Sequence, residues 1–567
     1  MGLPSPQVMD FTTLRAVVND LRGRILPSRF EKAQQADGQT LQLGFRTLKG
    51  MVWLELSWRA DCPRLIQIPA PPKQGSGSTL AQQTQHSLRQ LALVAIEQQD
   101  FERVVCFDFA SRPGDPVQRR LVLELMGRHS NLLLLDERQR VIAIGRQVRD
   151  HQSRVRPIST GDPYSPPPPL QGRPPDEAES FERWKQRLSL LPIPLSKALP
   201  QAYQGISPAL SRQLAGERVK RSVETLEASD WEQLHTQWQQ WLQCLHDNRF
   251  ALRRTDGSTY QVWGAGKDAT SSGEDVPLSL ALGHFYSDHL QGRELRRHSD
   301  ELRQQLAAAR QREQEQLQDQ TNRLLATENA DALQQEADAL LCHANPSREQ
   351  IDRSQTLYRR AKKLRRAVPL LEERMRHHEQ RLTLIDGSEA FLDDVLAADW
   401  DRSEERIRRL QELRLEAQDL LAPRQRRRAH QSNMRASSQP QPLELTSPGG
   451  LTIQVGRNHR QNDWISLRQA RPGDLWFHAQ ECPGSHVVLK ASNGLAEDGD
   501  LTLAADMAAL FSRARGNRHV PVVMVPVEQL QRIVGAGPGT VRHRGGRVCW
   551  AEPERAEQQL KAGELLA

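Results

Sequence analysis

Between Asp474 and Lys490 the chain reads DLWFHAQECPGSHVVLK, which sets His478, His486, Cys482 and a Pro-Gly-Ser turn close behind a Trp-Phe pair. Three chemistries draw on such residues. A structural zinc needs four thiolate or imidazole ligands, and the only second pair nearby is His543 with Cys549, which argues against a metal. A cysteine nucleophile needs an orienting base, and Cys482 precedes a proline in a turn with no defined partner. The third chemistry is RNA contact. Arg457 and Asn458 in VGRNHRQND, His478, Ser485, His486, the segment SRARGNR, and Arg542 in GAGPGTVRHRGGR combine Arg, His, Asn and Ser with glycine-rich backbone. Such a set can hold phosphates and stack on bases without fixed catalytic geometry. The glycine-rich loop lacks the Lys-Ser/Thr of a P-loop, so nucleotide hydrolysis is not read from it. A charged solvated surface is the plain alternative. No Ser-His-Asp order, H-E-x-x-H or dinucleotide fingerprint stands out, so we expect no catalytic residue, no metal and no cofactor.

The elements that must carry these residues are spread over 567 positions, too many for one core. The formal net charge is +7, which suits a polyanionic partner only if the basic residues cluster. Six widely spaced cysteines without a C-x-x-C pair point to a reducing compartment. The N-terminus lacks a signal-peptide layout, and no apolar run is long enough to span a bilayer. The expectation is a cytoplasmic protein.

Residues 1–175 read as a mixed domain. FTTLRAVVNDLRG puts Leu14, Val17, Val18 and Leu21 on one helical face, with Gly23 as its stop. LQLGF, MVWLELSW, RVVCFDF, RRLVLELMG and NLLLLDERQRVIAIG read as strands with DERQ as a turn, and KQGSGSTLAQQTQ as a loop. The proline run 166–169 closes the domain. Residues 176–285 read as helical, with Ser207-Pro208 as N-cap and first helical residue after a Gly-Ile turn. The pattern fits a helix-hairpin-helix that could hold a phosphate, or an ordinary capped pair.

Residues 286–422 turn rich in Gln, Arg, Glu and Leu. Leu364, Val368, Leu371, Met375, His378 and Leu382 form a heptad seam, repeated more loosely by Ile407, Leu410, Ala417 and Leu421, with Leu295, Leu302, Leu306 and Ala309 opposite. One antiparallel coiled-coil arm turning near Pro346 is the economical solution. Two separate dimerising helices are the alternative. Arg359, Arg360, Lys362 and Lys363 in RRAKKLRR, and Arg426 in RQRRR, either grip RNA phosphates or solubilise a helix face. A basic, polar linker (423–448) leads to a second α+β domain (449–567). Two folded ends separated by a rod suggest bridging between distant sites.

ELMGRHSNLLLLDERQRVI (Glu124–Ile142) resembles the N-terminal domain of the NFACT family, and DLWFHAQECPGSHVVLK with GRNHRQND before it and GAGPGTVRHR after it resembles that family's RNA-associated module. The domain order also matches, so the likeness covers nearly the whole chain. It implies a multidomain α+β protein of ribosome-associated quality control. Such a protein binds the large ribosomal subunit obstructed by peptidyl-tRNA and recruits tRNA, alanyl in bacteria, for template-free C-terminal alanine tailing. Peptide-bond chemistry then belongs to the ribosome, and neither DNA nor membrane is a partner. The resemblance further implies tRNA contacts at Asp10, at Glu102-Arg103, where the family carries Asp-Arg, and at Arg128 and His129. The segment CHANPSREQIDRSQ is shorter than the strand-containing insertion expected at the arm's turn. Rival readings are an RNA-binding scaffold without tailing and a fibronectin-binding surface adhesin.

Overall fold

The computed structural model describes residues 6–73, 78–149, 156–256, 258–264, 276–342, 347–422, 439–533 and 535–563. The chain divides into two compact units, Met1–Leu290 and Gln291–Ala567.

In the first unit nine antiparallel strands form one sheet in the order β4-β3-β2-β1-β5-β6-β7-β8-β9. They are β1 (Ser28–Asp37), β2 (Thr40–Thr47), β3 (Gly50–Ser57), β4 (Arg64–Ile68), β5 (Ala92–Gln98), β6 (Val104–Ala110), β7 (Arg119–Glu124), β8 (Asn131–Leu135) and β9 (Val141–Ile144). Side chains of β6 alternate between two cores. Val105, Phe107 and Phe109 join Leu43, Phe45 and Leu56, whereas Val104 and Cys106 join Val122, Leu133 and Leu135. Helix α1 (Phe11–Ile25) buries Leu14, Val17, Val18 and Leu21 as the sequence pattern requires. It runs two residues past Gly23, and the extended residue before Pro27 ends it. The segment read as a loop contains a second helix, α2 (Thr79–Ser87), capped by Ser78 through the backbone N–H of Ala81. The DERQ turn forms as expected, with the Asp136 carboxylate accepting from the N–H groups of Arg138 and Arg140.

Helices α3 (Phe181–Leu188), α4 (Leu195–Ala202), α5 (Pro208–Ala215) and α6 (Ala228–Asp247) share an aromatic core built on Trp184, Tyr203, Trp238 and Trp241. A small hairpin, β10 (Arg253–Asp256) and β11 (Thr259–Gln261), follows.

The second unit begins within α7 (Leu278–Thr327), a helix of 50 residues whose first turns belong to the first unit. Helices α7 and α8 (Asn329–Leu341) are paired antiparallel with α9 (Arg348–Ala397). The register is fixed by Arg353–Glu336, Arg365–Asp331, His378 and Arg381 on Glu313, and Arg310 on Asp386 and Glu389. The seam is therefore satisfied within one chain. The expected turn at Pro346 lies outside the described residues, and Ser347 caps α9 with a reciprocal bond to Gln350. Near its base the arm is three-stranded, because α10 (Ser403–Leu420) adds Leu410, Leu413 and Ala417 to a core with Leu302, Leu306, Ile385 and Phe391.

The C-terminal sheet, order β12-β13-β15-β14-β16-β19, comprises β12 (Leu443–Thr446), β13 (Thr452–Val455), β14 (Leu475–Ala479), β15 (Val487–Leu489), β16 (Val520–Pro526) and β19 (Arg547–Ala551). Strands β17 (Leu530–Arg532) and β18 (Val541–His543) form a separate hairpin. The helix Asp498–Leu510 covers one face of the sheet, packing on Phe477, Ala479, Val487 and Val522.

Candidate RNA-binding sites

In the first unit, Asp10 is the N-cap of α1. Its Oδ1 accepts from the Thr13 N–H at 2.9 Å and the Thr13 hydroxyl at 2.8 Å, and its Oδ2 accepts from the Ser207 hydroxyl at 2.6 Å. Ser207 caps α5 in turn, accepting from the Leu210 N–H, with Pro208 at the first helical position. One carboxylate thus ties two helix N-termini together across 197 positions, and only 5% of Asp10 is exposed. Gly205 makes the turn possible. Its φ is +75°, and a Cβ there would press on Phe101 and Phe11 at about 3.1 Å.

Glu102 and Arg103 lead into β6, beside Asp10. The Glu102 Oε1 accepts from the Leu170 N–H at 3.0 Å, while its Oε2 is buried without a partner among the described residues. Arg103 is only partly covered, and among the described residues no hydrogen bond or ion pair engages its guanidinium. Burial lowers the Arg103 pKa, and the charges of Asp10 and then Glu102 oppose that shift. Neither carboxylate closes an ion pair with it, so its donors remain available to a ligand. The exposed Arg128 and His129 follow at the same end of the β6–β7 pair, since the Leu125 N–H donates to the Arg103 carbonyl. The structure therefore brings Asp10, Glu102 and Arg103 together, with Arg128 and His129 at the same sheet end.

On the arm Arg359, Arg360, Lys362 and Lys363 are exposed, and none has a carboxylate in ion-pair distance among the described residues. Arg365 is spent on Asp331. Arg426, with the rest of RQRRR, lies outside the described residues.

The C-terminal candidates separate into two groups. Arg457 turns inward toward Asp401 at 3.9 Å, and Asn458 caps the helix His459–Trp464 through the Gln461 N–H. Ser485 is fully buried with its hydroxyl unpartnered among the described residues, and its N–H donates to the Phe511 carbonyl. Arg542 is exposed on β18. His478 and His486, by contrast, line a cleft of about 580 Å³ walled by Trp476, His543, the Glu481–Gly484 turn and the Thr383–Gly387 stretch of α9. Trp476 and His478 stack with centroids 5.5 Å apart, His478 meets His486 edge-on at 5.4 Å, and His543 lies 6.0 Å from Trp476. Burial holds His478 down to about 4, and His486 well below its ordinary range, so both rings are neutral at pH 7. The glycines after Ile533 serve this packing. A Cβ on Gly537 would strike Leu384, and one on Gly539 the His459 carbonyl. Among the described residues no group of three or more His, Cys, Asp or Glu is arranged to hold a metal.

Residues 10–350 match the family description "NFACT N-terminal and middle domains", and residues 443–545 match "NFACT protein RNA binding domain". The chain belongs to the NFACT family. The two sheets thus take the family's order, and Trp476 and the histidines lining the cleft fall within its RNA-binding domain, while the α9 wall lies outside it. The chain is similar to "Rqc2 homolog RqcH" of Streptococcus suis, 25% identical over 97% of this chain and 99% of that protein. The like-named protein of Streptococcus pneumoniae serotype 2 is 26% identical over 95% and 97%. A solved chain described as the C-terminal part of the fibronectin/fibrinogen-binding protein of Streptococcus suis is 26% identical, covers 46% of this chain and 97% of its own, and has a TM-score of 0.37. Among the described residues no helix is long and apolar enough to cross a membrane. Sequence reading missed Ser207 as the partner of Asp10, and Trp550 altogether, because both gain their neighbours only through tertiary structure.

Proposed function

We propose that this NFACT protein acts in ribosome quality control, binding the obstructed large subunit and positioning a tRNA, alanyl in identity, for untemplated C-terminal extension of the stalled chain. The observation that carries the reading is the near full-length likeness to two proteins named Rqc2 homolog RqcH, with an RNA-binding domain at the C-terminal end. The unengaged Arg103 guanidinium, within the electrostatic reach of Asp10 and Glu102, supports a recognition role for the N-terminal unit. It can donate to a phosphate or a base edge while Asp10 and Glu102 fix its surroundings. The unpaired Arg359–Lys363 run supports contact with ribosomal RNA through phosphate neutralisation. The role proposed for the chain is positioning, the bond-making step being the ribosome's. Affinity purification of the full chain followed by RNA sequencing tests this reading. Large-subunit ribosomal RNA together with tRNA is the expected recovery, and the absence of both would refute it.

A further inference from the structure

Strands alternate their side chains between two faces, and the C-terminal sheet has only one face covered by the helix Asp498–Leu510. The pairings His478↔Val523, Val523↔Val548 and Pro521↔Trp550 put His478, Val548 and Trp550 together on the other face. The hairpin β17–β18 and the turn Trp464–Ala470 close over the Trp476 end of that face. They leave the His478 end as the cleft and the β19 edge uncovered, where Trp550 is 70% exposed.

Three features of this surface suit a planar heteroaromatic ligand. The walls of the cleft are the rings of Trp476, His478, His486 and His543. Trp476 is 97% covered, yet its indole N–H is buried without a partner among the described residues. The His486 Nδ1 is bonded to the Ser466 hydroxyl at 2.8 Å, which leaves Nε2 as the ring's second hydrogen-bonding atom. Trp550 lies two strands away, roughly 10 Å at ordinary strand spacing, a step that one or two nucleotides of an extended strand can cover. Beside this face Arg542 and Arg544 are exposed and unpaired among the described residues, which supplies charge for a phosphate backbone.

We propose that this open sheet face binds single-stranded RNA by its bases, one base entering the histidine-lined cleft and a neighbouring base stacking on Trp550. This rests on the RNA-binding reading above and adds what is bound: unpaired bases, rather than the backbone of a duplex. Bases splayed from a loop or end can stack on aromatic rings, which a base-paired helix does not permit.

The test uses the full-length protein with a labelled single-stranded RNA, the same RNA annealed to its complement, and a strand of equal length in which the bases are replaced by abasic spacers. The wild type is expected to bind the intact strand at least tenfold more tightly than the abasic one. Trp550→Ala and His543→Ala, both at exposed positions, are each expected to weaken single-strand binding about tenfold and to leave duplex binding unchanged. Trp550→Phe restores a stacking ring and should recover most of the affinity. Equal affinity for intact and abasic strands, or single-strand binding unaffected by Trp550→Ala, would overturn the proposal while leaving RNA binding standing. A Trp550→Ala variant that binds RNA normally but converts a dimer to a monomer would assign the β19 edge to self-association instead. Failure of the wild type to bind any of the three would overturn both this proposal and the RNA-binding reading.

Discussion

Replacing Asp10 with alanine is expected to destabilise the N-terminal unit far more than replacing Arg103, although the two are neighbours. The carboxylate accepts three hydrogen bonds, two at the start of α1 and one from the hydroxyl that caps α5. Loss of the α1 cap costs about 1 kcal/mol. A hydrogen bond to a charged, buried acceptor contributes about 1.5–3 kcal/mol, and its loss strands the Ser207 hydroxyl. The sum is roughly 2.5–4 kcal/mol, which for a unit of this size lowers Tm by on the order of 10 °C. Asp10→Asn keeps one acceptor at the cap and should lose about half as much. Because Asp10 and Ser207 share one bond, Ser207→Ala combined with Asp10→Ala should be less destabilising than the sum of the two. Arg103→Ala removes a side chain that holds no partner among the described residues and should cost within about 1 kcal/mol. Calorimetry or denaturant melts of Asp10→Ala, Asp10→Asn, Ser207→Ala, the double variant and Arg103→Ala decide the matter. An Asp10→Ala protein as stable as the wild type, or additivity with Ser207→Ala, would refute the capping argument.

Three further outcomes are expected. His478 titrates near 4 when folded against an ordinary 6.5, so stability is complete above pH 6.5 and falls as the pH drops from 6.5 towards 4; the ring keeps some solvent contact, and the loss is roughly 2–3 kcal/mol. Buried Asp394, raised to about 7, works in the opposite direction over that range, so the effect should be read as the difference between wild-type and His478→Phe melts, and no difference would contradict it. Changing Arg359, Arg360, Lys362 and Lys363 to Gln should weaken co-sedimentation with large subunits and flatten the log–log salt dependence by up to about 3, with unchanged binding as the contrary result. Purified protein should hold no stoichiometric zinc, and a chelator should leave Tm unchanged; one equivalent of metal lost together with folding would restore the zinc reading of the His478–His486 span.

What could be read from the sequence follows from how local each signal is. The strands rich in Val, Leu and Phe, the apolar face of α1 and the heptads of α9 are legible because their periods lie within a few turns. The strand β1 was not, because SRFEKAQQAD is largely polar. It is held centrally by β2 and β5, and its buried Gln34 is satisfied by Gln42 and the Pro72 carbonyl. The helix α2 was hidden in a Ser/Gln-rich stretch whose Ser78 cap resembles loop composition. At the arm the heptads marked the Ile407–Leu421 stretch too, but not that α10 packs as a third strand, which arises from contacts with residues about 20–110 positions away. The same limit applies to the sites. Arg457 and Asn458 look like ligands in a list of residue types, yet one turns toward Asp401 and the other caps a helix. Trp550 looks like an ordinary strand residue until the β16–β19 register places it on the face of His478.

The proposed positioning of a tRNA on the obstructed ribosome through Arg103 can be read from mass spectrometry of stalled nascent chains recovered with the wild type, Arg103→Ala and Glu102→Asp. Untemplated alanine is expected at the C-termini with the wild type, equal or longer tails with Glu102→Asp, and none with Arg103→Ala, whose Tm falls by no more than about 4 °C and whose large-subunit association stays unchanged. Tails of normal length from Arg103→Ala, or untailed chains recovered with the wild type, would contradict it.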